Sequence, residues 1–439
     1  MLSLEKSLEM QRRAKEFIPG MTQLLSKRPD MFSLGVWPGY YSKAKGCTVW
    51  DLDGNEYTDM SISGIGANIL GYADDEVDDA VVKAIRDGSS SSLNCSEEVE
   101  LAELLCELHP WASMARFTRS GGEAMTVAVR IGRADTKRDK VAFCGYHGWH
   151  DWYLAANLGT ENALGDHLIA GLDPRGVPQG LLGTAFPFRF NRIDELKEII
   201  SRHGGDLAAI VLEPIRNDPP TEEFVKGVRE LADSCGAVLV VDEISSGFRM
   251  NTGGAHLPLG YEPDIAVFSK SLGNGYPIGA VIGKSTVMQS AQKTFISSTC
   301  WTERTGPAAA IATIRKHRRE NVGPHLMQLG RSVQDGWKEL MSKHGIPAHV
   351  SGMLPMSHID FETPNPQETK ALFIQLMLEE GFLASNLYYA MHAHTTDNVE
   401  SYLRKVDYVF SRIAETLRDG TSGKLLKGKP SSTGFRRLT

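Results

Sequence analysis

The chain has 439 residues, 41% of them hydrophobic and 23% charged, with a formal net charge of −7. That length accommodates one large domain and a smaller one, and the ordinary balance excludes a fibrous or disordered chain. The acidic surplus argues against nucleic acid as a partner, because that role needs a basic face. Six cysteines, at 47, 95, 106, 144, 235 and 300, are scattered with no C-x-x-C pair, as expected of reduced thiols. The first residues, Met1 to Lys6, form no apolar leader. No apolar run approaches the roughly 18 residues of a membrane span. The expectation is a soluble cytoplasmic protein without a membrane partner.

In chain order, residues 3–17 have helical spacing and stop at Pro19-Gly20. Residues 45–57 read as a hairpin, with Asp53-Gly54-Asn55 as its turn between alternating apolar positions. From residue 97 helices and strands alternate. Helices are expected at 97–108, 123–134, 194–202 and 222–235. Strands are expected at 115–117, 140–144, 207–212, 237–241 and 264–268. The strands are short, apolar and β-branched, the pattern of strands covered on both faces. This predicts an α/β fold with a mostly parallel central sheet. After residue 315 the pattern changes to a long helix at 324–344, irregular strands and a last helix at 399–418. The expected organisation is an N-terminal segment (1–65) packing with the small domain, a large domain (66–315) and a small α+β C-terminal domain (316–419). A tail (420–439) with five basic and no acidic residues reads as a loose, solvated end.

Chemistry concentrates where strands end. Lys270 follows the apolar run 264–268 and precedes Gly273, Gly275 and Gly279. Ligand-facing residues of open α/β sheets collect at the carboxyl ends of strands. Asp242 closes a second apolar run, and a buried carboxylate there needs a partner. A lysine and an aspartate so placed suit pyridoxal phosphate (PLP). The lysine forms the Schiff base, and the carboxylate holds the pyridine nitrogen protonated. Ser120-Gly121-Gly122-Glu123 opens a helix whose free N–H groups could take a phosphate; S-x-x-E is equally a capping box. Tyr146-His147-Gly148-Trp149-His150-Asp151 follows another strand end, where an aromatic ring could stack on a flat cofactor. His147, His150 and Asp151 lack a further ligand set for a metal, so no metal is expected.

The ordered set VWDLDGNEY (49–57), LGY (70–72), SGGEA (120–124), YHG (146–148), LEP (212–214), VVDEISSGFR (240–249) and FSKSLGNGYPIGA (268–280) resembles the class III, fold type I PLP-dependent aminotransferases. The resemblance spans about residues 15–415 and is nearest the glutamate-1-semialdehyde aminomutase branch. It implies a seven-stranded-type, mostly parallel sheet and a ping-pong transfer from a small-molecule amine to a carbonyl acceptor. It implies Lys270 as Schiff-base lysine and proton shuttle, and Asp242 paired with the pyridinium nitrogen. Ser120, Gly121 and Gly122 would hold the phosphate. Tyr146 would cover the ring, with His147 in the same cofactor-binding set, and Glu213 would sit near Asp242. Thr299, beside Ser298, would reach the phosphate of a partner subunit, making a homodimer with shared active sites.

Three departures bear on the substrate. Gly122 stands where the aminomutases carry a threonine. Leu24 and Lys27 or Arg28 stand where they place a serine and an arginine for the substrate carboxylate, and a lysine does not replace an arginine fork. The loop after Glu213-Pro214 is shorter and lacks a Gly-Asn pair. SSTCWTER (297–304) resembles class III members acting on modified sugars and natural products. Alternatives are a 2,1-aminomutase, or a non-catalytic PLP-binding protein.

Overall fold

The computed structural model describes residues 3–159, 163–165, 167 and 171–434. The chain divides into two compact units, Asp75–Gly323 and Met1–Asp74 with Pro324–Thr439.

The Asp75–Gly323 unit is built on a seven-stranded sheet. Its order is Met114–Thr118, Gly279–Gly283, Ile265–Phe268, Val238–Asp242, Leu207–Leu212, Lys140–Cys144, Ala185–Pro187. Gly279–Gly283 runs antiparallel to both neighbours, and the other strands all run one way. Alternation along each strand separates two cores. Val141, Phe143, Val211, Val240 and Val267 pack with the helix Gly121–Thr136. Ala142, Cys144, Leu212, Leu239 and Val241 pack with Ile193–His203 and Glu222–Cys235. Each fully buried Val, Leu or Phe contributes about 1.5–3 kcal/mol, so covering both faces explains the continuous apolar runs.

The expected α/β class and mostly parallel sheet are observed. The sequence reading missed Gly279–Gly283, taken as part of a glycine-rich loop. Its glycines serve close packing instead. A Cβ on Gly279 would collide with Thr118, and one on Gly283 would come 2.7 Å from the Asp264 carbonyl. Two helices of this unit were also missed, Asp75–Arg86 and Thr305–Arg319. They pack together, and Arg319 Nη2 meets Glu76 Oε1 at 2.5 Å.

The other unit holds two sheets. In one, Tyr41–Lys45, Thr48–Asp51 and Glu56–Met60 pair antiparallel, and Phe382–Ala384 joins in parallel. Thr48–Asp51 and Glu56–Met60 form the expected hairpin. The other sheet is Ala348–Ser351, Met356–Phe361 and Leu387–Tyr389, all antiparallel. The long helices Val322–His344 and Thr396–Asp419 are joined by Trp337 Nε1 donating to Tyr402 Oη at 3.1 Å. The basic segment after residue 420 is not loose as far as residue 434. Lys429 N–H donates to the Leu34 carbonyl, and Ser432 N–H to that of Asp30. Charge counting missed these backbone bonds. The expectation for 435–439 lies outside the described residues.

Candidate active site

All candidate positions except Thr299 lie at or just past strand ends at one edge of the large sheet. Val238–Asp242 and Ile265–Phe268 are parallel neighbours, with Asp242 opposite Val267. Lys270 therefore begins two residues beyond the end of the strand beside Asp242. Leu212 pairs with Val241 and Cys144 with Leu212, which brings Glu213 and the Tyr146–His147 turn to the same edge. Thr118 pairs with Gly279 across the reversed strand, so Ser120 and the following helix start there too.

Lys270 has φ +43°, a left-handed conformation unfavourable for a residue with a side chain, at a cost on the order of 1–3 kcal/mol. Its half-buried amine donates to Ser245 Oγ at 2.7 Å. Burial pushes its pKa below the ordinary lysine value. The Arg249 guanidinium adds to this, and the Glu213 and Asp242 carboxylates oppose it.

Asp242 is 3% exposed. Its Oδ1 accepts from Ile244 N–H at 3.0 Å, and its Oδ2 lies 2.7 Å from His147 Nδ1. His147 Nε2 faces the Cys144 carbonyl at 3.2 Å. His147, 1% exposed, thus props the carboxylate from behind. Each carboxylate oxygen keeps a second lone pair for another donor.

Glu213 Oε2 accepts from Tyr146 N–H at 3.0 Å and lies 3.3 Å from Arg216 Nη1. Burial raises its pKa, with Arg216 and His147 pulling the other way. Gly145, at φ +120°, passes so close that a Cβ would strike Glu213. The Tyr146 phenol is pushed up by burial and by the Asp242 and Glu213 carboxylates. Glu243, next to Asp242, points elsewhere. It accepts from His256 N–H and lies 2.7 Å from His256 Nδ1, with Ser246 Oγ–H donating at 2.5 Å. Burial alone would raise its pKa; these hydrogen bonds and the His256 charge outweigh it. It is a structural residue.

Ser120 caps the Gly121–Thr136 helix. Its Oγ accepts from Glu123 N–H, and Glu123 Oε2 accepts from Ser120 N–H at 2.9 Å. The two readings of this motif are compatible, because the cap takes Glu123 N–H and helix geometry leaves those of Gly121 and Gly122 without an intrahelical partner. A Cβ on Gly121 would lie 2.9 Å from Ile244 Cδ1, and one on Gly122 would lie 3.0 Å from His150 Nε2. Ser120→Ala should lower the unfolding free energy by about 1 kcal/mol, checked as a fall in thermal midpoint; an unchanged midpoint would remove the cap from the account.

Thr299 is exposed, in the short turn Thr299–Thr302, and no hydrogen bond joins it to the other candidates among the described residues. In the other unit, Arg28 forms a buried two-point ion pair with Asp30, Nε–Oδ1 2.9 Å and Nη2–Oδ2 2.6 Å. Its guanidinium is thus engaged by a carboxylate of the chain itself. Sequence reasoning missed Ser245 and Arg249, and weighed His150 only as a metal ligand. Ser245 and Arg249 lie inside VVDEISSGFR, where only the Asp stood out.

The sequence profile of the family Aminotransferase class-III matches residues 35–395. The chain belongs to the class III aminotransferases. A 3-aminobutyryl-CoA aminotransferase of Cloacimonas acidaminovorans (strain Evry) is 33% identical over 411 residues, covering 91% of this chain and 95% of the relative. A glutamate-1-semialdehyde 2,1-aminomutase of Persephonella marina is 30% identical, covering 94% and 100%. A 2'-deamino-2'-hydroxyneamine transaminase of Streptomyces kanamyceticus is 30% identical, covering 92% and 98%. Among solved structures, the PLP internal aldimine form of the FumI protein from Sphingopyxis sp. MTA144 superposes with a TM-score of 0.84 at 26% identity, covering 96% and 98%. The fold is thus fold type I, and this aminotransferase is a PLP enzyme. The site fits that cofactor: a lysine amine, a buried carboxylate and a glycine-lined helix start share one sheet edge, and His150 Nε2 is buried without a partner among the described residues.

Proposed function

We propose that this aminotransferase acts on small-molecule amines and carbonyl acceptors through Lys270 and Asp242, by two half-reactions at one site. The observation that carries this is the placement of Lys270 and Asp242 at adjoining ends of neighbouring parallel strands. Bound there, PLP supplies the carbonyl that takes up the amine and a cationic ring that accepts the electron pair of the broken C–H bond. Lys270 Nζ, its pKa lowered by burial, takes the proton from the donor's carbon and returns one in the second half-reaction. Asp242, held by His147 and Ile244 N–H, keeps its charge towards the ring nitrogen. Gly121 and Gly122 offer N–H groups to the phosphate, and Ser120 fixes the helix end. Tyr146 closes over the ring, held in place by Glu213.

A homodimer completes the site in this reading. Thr299 and its neighbours from Ser297 to Cys300 are exposed, as a segment reaching a partner's phosphate must be. Leu93, Trp149 and Phe295 of the same unit are 81, 70 and 83% exposed, apolar side chains that a partner surface would cover.

The SSTCWTER segment and the 2'-deamino-2'-hydroxyneamine transaminase favour an amino-sugar or natural-product substrate. Engagement of Arg28 by Asp30 argues against a glutamate-semialdehyde carboxylate being held there. The test is to mix the PLP enzyme with glutamate, alanine, diamines and amino sugars separately and follow the bound cofactor's absorbance. A donor should bleach it without any acceptor, and a carbonyl added afterwards should restore it. The related aminomutase reading predicts turnover of a single substrate with neither donor nor acceptor added. Either that result, or no bleaching by any amine, would overturn the transaminase reading.

A further inference from the structure

The side-chain position of Gly122 and the His150 ring form a pair to which the roles above give no part. Gly122 is the second residue of the helix whose start faces the cofactor-binding edge. Having no side chain, it adds nothing to an anion beyond its N–H. The place a side chain would take is filled. The His150 ring lies there, with Cδ2 and Nε2 each 3.0 Å from the Cβ position of residue 122, and Trp149 Nε1 at 3.7 Å. Side chains on a helix lean towards its N-terminus, so this is the position from which a hydroxyl at 122 would address a group bound at the helix end. Gly148, at φ +104°, lets the loop come close: a Cβ there would lie 3.4 Å from Gly122 Cα. Trp149 packs against the imidazole, ring centroids 4.4 Å apart.

The imidazole so held is unsatisfied. His150 Nε2 is buried and has no hydrogen-bond partner among the described residues. A buried polar nitrogen left unpaired costs about 1–3 kcal/mol, and such atoms in a native fold call for an explanation. Burial lowers the ring's pKa, with the Glu123 and Asp151 carboxylates opposing. A neutral imidazole still offers one N–H.

We infer that His150 stands in for a side chain at 122 and donates Nε2–H to the phosphate of PLP. The inference rests on the proposed placement of the phosphate at Ser120–Gly122. It also explains why residue 122 is glycine: a threonine there would collide with His150.

The test compares PLP with pyridoxal, which keeps the aldehyde and lacks the phosphate. Cofactor-free wild type, His150→Ala and His150→Leu are titrated with each, and dissociation constants are read from the absorbance of the bound form. Circular dichroism confirms that the variants fold, and the leucine variant keeps most of the volume if alanine does not fold. A hydrogen bond to a charged group predicts that PLP binding weakens about ten- to a hundredfold in both variants, while pyridoxal binding is unchanged. Gly122→Thr should weaken PLP binding in the wild-type background and restore it in the His150→Ala background. Equal losses for PLP and pyridoxal, or no loss for either, would overturn the role of His150 and leave the site reading standing. A wild type that binds PLP no better than pyridoxal would overturn the phosphate placement itself. A wild type that binds neither would overturn the assignment of Lys270 and, with it, this inference.

Discussion

Replacing Lys270 with alanine should give a folded protein that transfers amino groups about a hundred- to ten-thousandfold more slowly. Among the described residues the side chain makes one hydrogen bond, to Ser245, and its removal leaves the strand and the following turn in place. Alanine at φ +43° is strained as the lysine is, so the backbone term changes little. What is lost is the amine itself, the one basic nitrogen proposed to move the proton. Stability should move the opposite way. In the cofactor-free protein the folded-state pKa of Lys270 lies below the ordinary 10.5. Charging the amine is therefore a cost to the folded state. That cost is fully present below the folded pKa and disappears as pH rises to 10.5. Lys270→Ala should accordingly raise the thermal midpoint at neutral pH, with the gain fading towards pH 10.5. Steady-state rates and melting curves across pH check both halves. A variant with near wild-type turnover would remove Lys270 from the chemistry, and a midpoint that falls at neutral pH would contradict the burial argument.

Asp242→Asn should slow the proton-abstraction half-reaction by about a hundred- to a thousandfold, equivalent to about 2.7–4 kcal/mol. The substitution isolates charge from shape. The amide oxygen can still accept from Ile244 N–H. The amide nitrogen can donate to His147 Nδ1, whose Nε2–H remains on the Cys144 carbonyl. Packing of this 3% exposed side chain is nearly preserved. The negative charge facing the ring nitrogen is gone. Single-turnover loss of the cofactor band with a working donor reads the step directly. An unchanged rate would mean that the ring nitrogen takes its proton from another group.

Legibility followed the range of the interactions involved. The strands 140–144 and 207–212 were readable to the residue because both faces are buried and every position after Lys140 is apolar. Gly279–Gly283 was not, because its glycines answer to Thr118 and the Asp264 carbonyl, distant in sequence. The helix Asp75–Arg86 carries acidic residues in its first turn and basic ones in its last, a dipole signal that was present and unused. Lys270 and Asp242 stood out because a charged residue closing an apolar run is conspicuous locally. Ser245 and Arg249 did not, since an ordinary Ser and Arg gain meaning only from what they approach. His150 was weighed as a metal ligand, and its neighbour Gly122 as a missing hydroxyl. Nothing local linked them.

Sequence by itself determined the alternation of apolar strands and amphipathic helices, and with it an α/β sheet with charged residues at strand ends. Those features depend on burial pattern and on contacts within a few residues. Tertiary structure alone decided which strand ends meet. It set Asp242 beside the start of Lys270, turned Glu243 away to His256, placed His147 behind Asp242 and committed Arg28 to Asp30. It also laid the His150 ring over Gly122. Such contacts depend on register and packing between segments up to about a hundred residues apart, where sheet geometry rather than local preference selects the neighbour.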